Sequence, residues 1–119
     1  MGFVNVRVEI EPLTGTPIRR EVELLADTGA LYSLIPATVL NGLGVKPRER
    51  VVFESADGRT IERAVGEVRF QFDGRSRVST VIFGGEGDSG LLGVVTMEEF
   101  GLEVDPVRRQ VRPTRMILY

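Results

Sequence analysis

Leu24-Leu25-Ala26-Asp27-Thr28-Gly29-Ala30 runs an apolar strand directly into a turn that carries a carboxylate. Gly29 has no Cβ, so the backbone at the turn is free to approach whatever lies opposite. Thr28 supplies a hydroxyl that backbone groups are expected to satisfy, which would hold the turn rigid. The tripeptide Asp-Thr-Gly alone is weak, because a polar turn after a strand is commonplace. Its meaning depends on what surrounds it.

Upstream, Phe3 to Ile10 alternates apolar Val4, Val6, Val8 and Ile10 with Asn5, Arg7 and Glu9, the period-two pattern of a half-buried strand. Pro12-Leu13-Thr14-Gly15 is a turn, and alternation resumes from Ile18 to Leu25, so the two strands predict a hairpin. Downstream, Leu31 to Ile35 reads as a short strand and Pro36 to Gly42 as one or two helical turns, with Pro36 in the first turn. Val51-Val52-Phe53 and Thr60-Ile61 flank Ser55-Ala56-Asp57-Gly58-Arg59, whose Asp-Gly pair marks a hairpin tip. Gly66 to Phe72 and Val78 to Phe83 are two further strands around Asp73-Gly74. Gly84 to Gly90 reads as a plain connector without the Lys or helix of a phosphate loop, and it ends at Leu91-Leu92-Gly93. Thr96 to Phe100 predicts a short helix with Thr96 as N-cap and Glu98 and Glu99 in its first turn. Leu102–Val104 and Val107–Val111 form a last hairpin around Asp105-Pro106. Residues 1–119 are thus expected to form a single all-β domain of short strands with one or two short helices.

Two absences restrict the chemistry more than any residue present. The chain has no Cys, which removes disulfides, thiol catalysis and thiolate metal sites. It has no His, which removes the usual base of serine and cysteine hydrolases and the commonest zinc ligand. An enzyme built from these residues without a cofactor must move protons with carboxylates, and no metal or cofactor is expected. A formal charge of −2 gives no electrostatic reason for a nucleic-acid partner. Arg108, Arg109, Arg112 and Arg115 read as a solvated strand face. No apolar run reaches the roughly 20 residues that a membrane helix needs. Met1 to Val6 has neither a signal-peptide core nor a myristoylation pattern, so a cytoplasmic location without membrane attachment is the default expectation.

Taken together and in order, these motifs from about Glu21 to Pro113 resemble the retroviral-type (retropepsin-like) aspartic protease family. The run Leu24 to Ala30 followed by Ser33-Leu34-Ile35 is similar to the family's catalytic loop and next strand. The hairpin Ser55–Arg59 sits where the family has its flap, the lid over the substrate. Leu91-Leu92-Gly93 before a short helix is similar to the second loop, which passes beneath the catalytic turn. The resemblance implies a closed β-barrel of short strands with a flap hairpin. It also implies Asp27 as the catalytic carboxylate, supported by Thr28, Gly29 and Ala30. Ala56, Asp57 and Gly58 would form the flap tip, and Leu91, Leu92 and Gly93 the second loop. Two departures stand out: Val94-Val95-Thr96 follows Gly93 where viral members commonly carry an Arg, and the flap tip holds a single glycine.

Hydrolysis at such a site needs two carboxyl groups in different protonation states, and like charges about 3 Å apart share one proton. The chain has one Asp-Thr-Gly; Asp57, Asp73 and Asp105 lie in turns and Asp88 in a glycine-rich loop. The implied enzyme is therefore a homodimeric endopeptidase whose second carboxylate comes from Asp27 of a symmetry-related copy acting on a peptide or protein substrate. The competing expectation is a non-catalytic dimerisation or peptide-binding module on the same fold. Phe53, Ile61, Leu31 and Ile82 are expected to line an apolar pocket. Met116-Ile117-Leu118-Tyr119 is either a frayed tail or a strand added to the partner.

Overall fold

The computed structural model describes residues 3–119, so the reading of Met1 and Gly2 lies outside the described residues. Alternation in β1 (Asn5–Glu11) turns Val6, Val8 and Ile10 inward and leaves Asn5, Arg7 and Glu9 outside. It pairs antiparallel with β2 (Arg20–Ala26), matching Val8 with Val22 and Asn5 with Leu25. Then follow β3 (Ser33–Pro36), α1 (Ala37–Gly42), β4 (Glu49–Glu54), β5 (Thr60–Phe72), β6 (Arg75–Gly84), β7 (Leu91–Leu92), α2 (Val94–Glu99), β8 (Leu102–Asp105) and β9 (Gln110–Pro113). The expected all-β class with two short helices is what the chain adopts.

The main sheet has the order β1-β2-β7-β3-β6-β5-β4, and an additional β1–β5 pairing joins Ile10 to Phe70. That pairing closes β1, β2, β7, β3, β6 and β5 into a ring. Its interior is filled by one cluster that includes Ile10, Leu24, Ile35, Phe70, Val81 and Leu92, each almost fully buried. Side chains of this size contribute about 1.5–3 kcal/mol each when fully buried. β4 pairs only with the first half of β5, so the two project from the ring as a ribbon. β8 and β9 form a separate two-stranded sheet.

Three local expectations are corrected. Thr60-Ile61 and Gly66–Phe72 belong to one 13-residue strand rather than two. Gly66 does not interrupt it; a Cβ there would stand 3.2 Å from both the Lys46 carbonyl and the Phe83 ring, so the glycine marks close packing within the strand. Pro36 closes β3 with ψ 132° and stands before the helix rather than in its first turn. Thr96 is not a cap: α2 begins at Val94, Gly93 precedes it in an extended conformation, and no acidic residue lies in the first turn. The first helical N–H groups find their partners across the fold, Val94 donating to the Ala30 carbonyl at 2.9 Å and Val95 to Leu31 at 3.0 Å.

Thr96 instead faces inward, fully buried. Its hydroxyl lies 2.7 Å from the Ser33 hydroxyl and 2.9 Å from that of Ser79, and Ser33 Oγ also accepts the Gly93 N–H at 3.0 Å. This buried polar chain ties α2 to β3 and β6. The other end of the helix is held by Arg77, which donates to the Glu99 carbonyl at 2.9 Å and lies over the Phe100 ring.

Thr96→Val keeps the shape of the side chain and removes the shared hydroxyl. Unfolding free energy at fixed protein concentration should fall by about 1–3 kcal/mol, because Ser33 and Ser79 lose a buried partner. Urea denaturation measures the change, with Thr96→Ser as the control expected to lose less; a Val variant as stable as the parent would dismiss the polar chain as a stabilising element.

Candidate active site

The turn after β2 is built by its own backbone. The Ala30 N–H donates to the Asp27 carbonyl at 3.1 Å, and the Gly29 N–H donates to Asp27 Oδ1 at 2.8 Å. A Cβ on residue 29 would stand 3.2 Å from that same oxygen, so glycine lets the amide close on the carboxylate. One carboxylate oxygen is thereby fixed, while Oδ2 has no hydrogen bond among the described residues. Thr28 is exposed, and its hydroxyl likewise has no partner among the described residues, which differs from the expectation that backbone groups of its own turn would satisfy it.

β7 passes directly beneath this turn, between β2 and β3. It runs parallel to β2, pairing Leu25 with Leu91 and Ala26 with Leu92, and antiparallel to β3. The Asp27 N–H donates to the Leu92 carbonyl at 3.0 Å and the Leu25 N–H to Gly90 at 3.0 Å, while Ala26 donates to Val4 of the N-terminal segment at 2.8 Å. Gly93 is the tightest point: a Cβ would lie 2.4 Å from the Tyr32 carbonyl carbon and 2.7 Å from the Ser33 nitrogen. Leu91, Leu92 and Gly93 are therefore brought against Asp27 and Ala30 by backbone bonds.

Asp27 and Thr28 line a concavity of about 670 Å³ whose other walls include Phe3, Leu25, Val104 and Pro106. Val104 and Pro106 come from the β8–β9 hairpin. Asp105, buried at its tip, accepts the Val107 and Arg108 N–H groups, both at 3.1 Å, and Arg112 at 3.2 Å. Those backbone bonds, chiefly that from Arg108, and the nearby guanidiniums hold its carboxyl below the usual carboxylate range. The hairpin is thus set in place beside the Asp27 turn. Among the described residues no three Asp or Glu side chains converge to hold a metal ion.

The projecting β4–β5 ribbon carries the tip Ser55–Arg59. The Ser55 N–H donates to the Arg59 carbonyl at 2.7 Å, and Gly58 takes φ +86° with nothing within 4 Å of an added Cβ. Glycine is required there by conformation, not by space. Phe53 stands opposite Ile61, so two of the four side chains expected at an apolar pocket share one face of the ribbon. Leu31 is 59% exposed beyond the Asp27 turn, and Ile82 pairs with Leu34 and Val65 inside the sheet. No hydrogen bond joins the ribbon tip to the Asp27 turn among the described residues. Met116–Tyr119 is exposed and in no strand, with Met116 lying over Gly101.

A link not apparent from sequence anchors the loop before β7. Asp88 Oδ2 accepts the Gly85 N–H at 2.7 Å and pairs with Arg63 of β5 at 3.4 Å. The connector between β6 and β7 is therefore tied to the base of the ribbon. Only the ending of that loop at Leu91 was legible, because an Asp among glycines has no fixed partner until the fold supplies one.

A closed ring of short strands, a strand passing under an Asp-Thr-Gly turn, and a projecting hairpin define the aspartic protease class of fold. A family model described as aspartyl protease matches residues 6–96, and the chain belongs to that family. Among solved structures, EIAV protease complexed with the inhibitor HBY-793 is similar over 98% of this chain and 94% of that chain, with a TM-score of 0.65 and 16% sequence identity. At that identity the likeness is one of fold. A comparison with curated proteins finds no match. No helix among the described residues is long and apolar enough to cross a membrane.

Asp57 at the ribbon tip gives a pH test. The Ser55 hydroxyl first, and then the Arg59 N–H, hold its carboxyl below the ordinary value. A group whose folded pKa is lowered stabilises above its unfolded pKa and loses that contribution as pH falls through the folded value. The Arg59 amide should therefore exchange with solvent faster, after correction for intrinsic exchange, once the pH drops below about 4, near the unperturbed aspartate value. Amide exchange by NMR checks this; corrected Arg59 protection that stays flat from neutral pH to acid would discard the Asp57 clasp.

Proposed function

We propose that this protein is a homodimeric aspartic endopeptidase in which Asp27 of each copy contributes one carboxylate to a shared pair. The observation that carries the reading is the Asp27 turn itself. One carboxylate oxygen is fixed by the Gly29 N–H, and the other has no partner among the described residues and stands beside an apolar-walled concavity. A second copy related by a two-fold axis through that turn would bring two such oxygens together. Two like charges so placed share one proton.

The chemistry then follows from the pair. The ionised carboxylate takes a proton from a water, whose oxygen attacks the carbonyl carbon of the peptide. The protonated carboxyl donates to the carbonyl oxygen, giving a tetrahedral diol. Collapse of the diol breaks the C–N bond as a proton passes to the leaving nitrogen. Gly29 and Ala30 hold the turn by their N–H groups, Thr28 stands exposed beside the carboxylate, and Leu91, Leu92 and Gly93 support the turn from below. The β4–β5 ribbon, with Ala56, Asp57 and Gly58 at its tip, acts as the flap. An extended peptide lies between flap and turn by added-strand hydrogen bonds.

Asp27→Asn is nearly isosteric but supplies neither base nor shared proton. Cleavage of a mixed peptide library should drop below about 1% of the parent rate, since an essential acid–base group is worth 10²-fold or more. The variant should remain folded and dimeric by circular dichroism and sedimentation. Cleavage persisting above that level in the Asn variant would assign the activity elsewhere.

Assembly is tested separately. Specific activity should fall on dilution through the concentration at which sedimentation velocity shows the dimer dissociating. A monomer with full specific activity contradicts the shared pair.

A further inference from the structure

Next to the concavity that holds Asp27 lies a second, of about 630 Å³, lined by Phe3, Asn5, Glu23, Leu25, Ser89 and Gly90. Phe3 and Leu25 form walls of both, so the two hollows share a side. Glu23 and Leu25 project from the same outer face of β2, two residues apart. At 3.3 Å per residue, about 13 Å of backbone separates the Cα atoms of Glu23 and Asp27. A side chain entering from the Asp27 end therefore crosses apolar Phe3 and Leu25 before it meets a carboxylate.

Among the described residues, no cationic group lies within ion-pair distance of that carboxylate. Arg7 is its cross-strand partner in register, yet Arg7 lines a different hollow with Glu9 and Glu21. None of the ion pairs among the described residues includes Glu23 or Arg7. The loop on the opposite side of the hollow adds no cation: Ser89 is neutral, Glu86 is acidic, and Asp88 is bound to Gly85 and Arg63. Asn5 and Ser89 add neutral oxygens able to accept hydrogen bonds.

We infer that this second hollow is a specificity pocket for a long basic side chain, Lys or Arg, flanking the bond to be cut. Its apolar walls take the methylene stem and Glu23 takes the cationic head. The inference rests on the proposed peptidase reading, which it deepens by naming a substrate class. Leu or Met fills the walls and leaves Glu23 solvated, while an acidic side chain meets like charge. Two-fold symmetry would present the same pocket on either side of the cut.

The test separates the pocket from the chemistry by measuring binding to the Asp27→Asn protein. Fluorescein-labelled decapeptides identical except for one central residue, Lys, Arg, norleucine or Glu, are titrated by anisotropy. Lys and Arg peptides should bind about tenfold more tightly than the norleucine peptide at low salt, an advantage that shrinks as ionic strength rises. Adding Glu23→Gln should reduce the advantage to about twofold or less, and Glu23→Lys should move the preference to the Glu peptide. Equal binding of Lys and norleucine peptides, an unchanged preference in the Gln variant, or no peptide binding at all overturns the pocket. Selective binding by the Asn variant with no cleavage by the parent protein would instead leave the pocket standing and remove the peptidase reading.

Discussion

The structure depends on a two-residue strand having room to pass between β2 and β3. β7 must approach the Tyr32–Ser33 backbone so closely that any side chain at position 93 would overlap the Tyr32 carbonyl. Given that room, Leu91 and Leu92 complete the ring and Leu92 offers its carbonyl to the Asp27 N–H. The same passage delivers α2 so that its first N–H groups meet the carbonyls of Ala30 and Leu31. Helix, crossing strand and carboxylate turn are therefore one hydrogen-bonded unit. Displacing Gly93 would disturb the Asp27 backbone before it disturbed the rest of the core.

This arrangement divides the molecule by rigidity. The Asp27 turn rests on a ring whose core residues are almost fully buried, and beneath it lies the buried chain of Ser33, Thr96 and Ser79. In the β4–β5 ribbon, β4 has β5 as its one sheet neighbour, and the exposed tip is held by short-range bonds of Ser55, Asp57 and Arg59. Segments with few buried contacts open at lower free energy than the core. On the proposed reading, a fixed carboxylate served by a ribbon of lower local stability suits the chemistry, since reacting groups must not move while a lid must. The Arg63–Asp88 pair joins the ribbon base to the loop entering β7, so the ribbon is tied to the element that supports the turn.

Much of this was legible in the sequence because it is local. Alternation in Val4–Ile10, the Asp73-Gly74 turn with φ values of 50° and 75°, and the Asp57-Gly58 tip each declare themselves within a few residues. The order of Asp-Thr-Gly, hairpin tip and Leu-Leu-Gly carried the fold class. What sequence concealed was non-local. Ser33 and Thr96 are 63 positions apart, and a threonine at the front of a helical stretch looks like a cap until the fold shows that backbone carbonyls already occupy that role. The expected strand starts at Gly66 because a glycine has the same local signal whether it bounds a strand or admits a neighbouring ring within one. Phe3, Val104 and Pro106 gave no sign of sharing a hollow with Asp27, since they come from opposite ends of the chain.

The family and the fold leave one property beyond the reach of a single chain. Among the described residues, the Asp27 turn draws its backbone bonds from its own chain. The acid–base character of a carboxylate pair is different in kind, because it arises from repulsion between two groups and belongs to neither alone. On the proposed reading, a fold that fixes one oxygen and leaves the other unpartnered prepares half of that interaction and holds it ready. The placing of the first oxygen then belongs to the chain, while reactivity appears at the axis. The same separation explains how a relative could keep the whole architecture yet lose the chemistry: substituting Asp27 would leave the ring, β7 and the ribbon intact and remove only the group whose partner lies in the other copy.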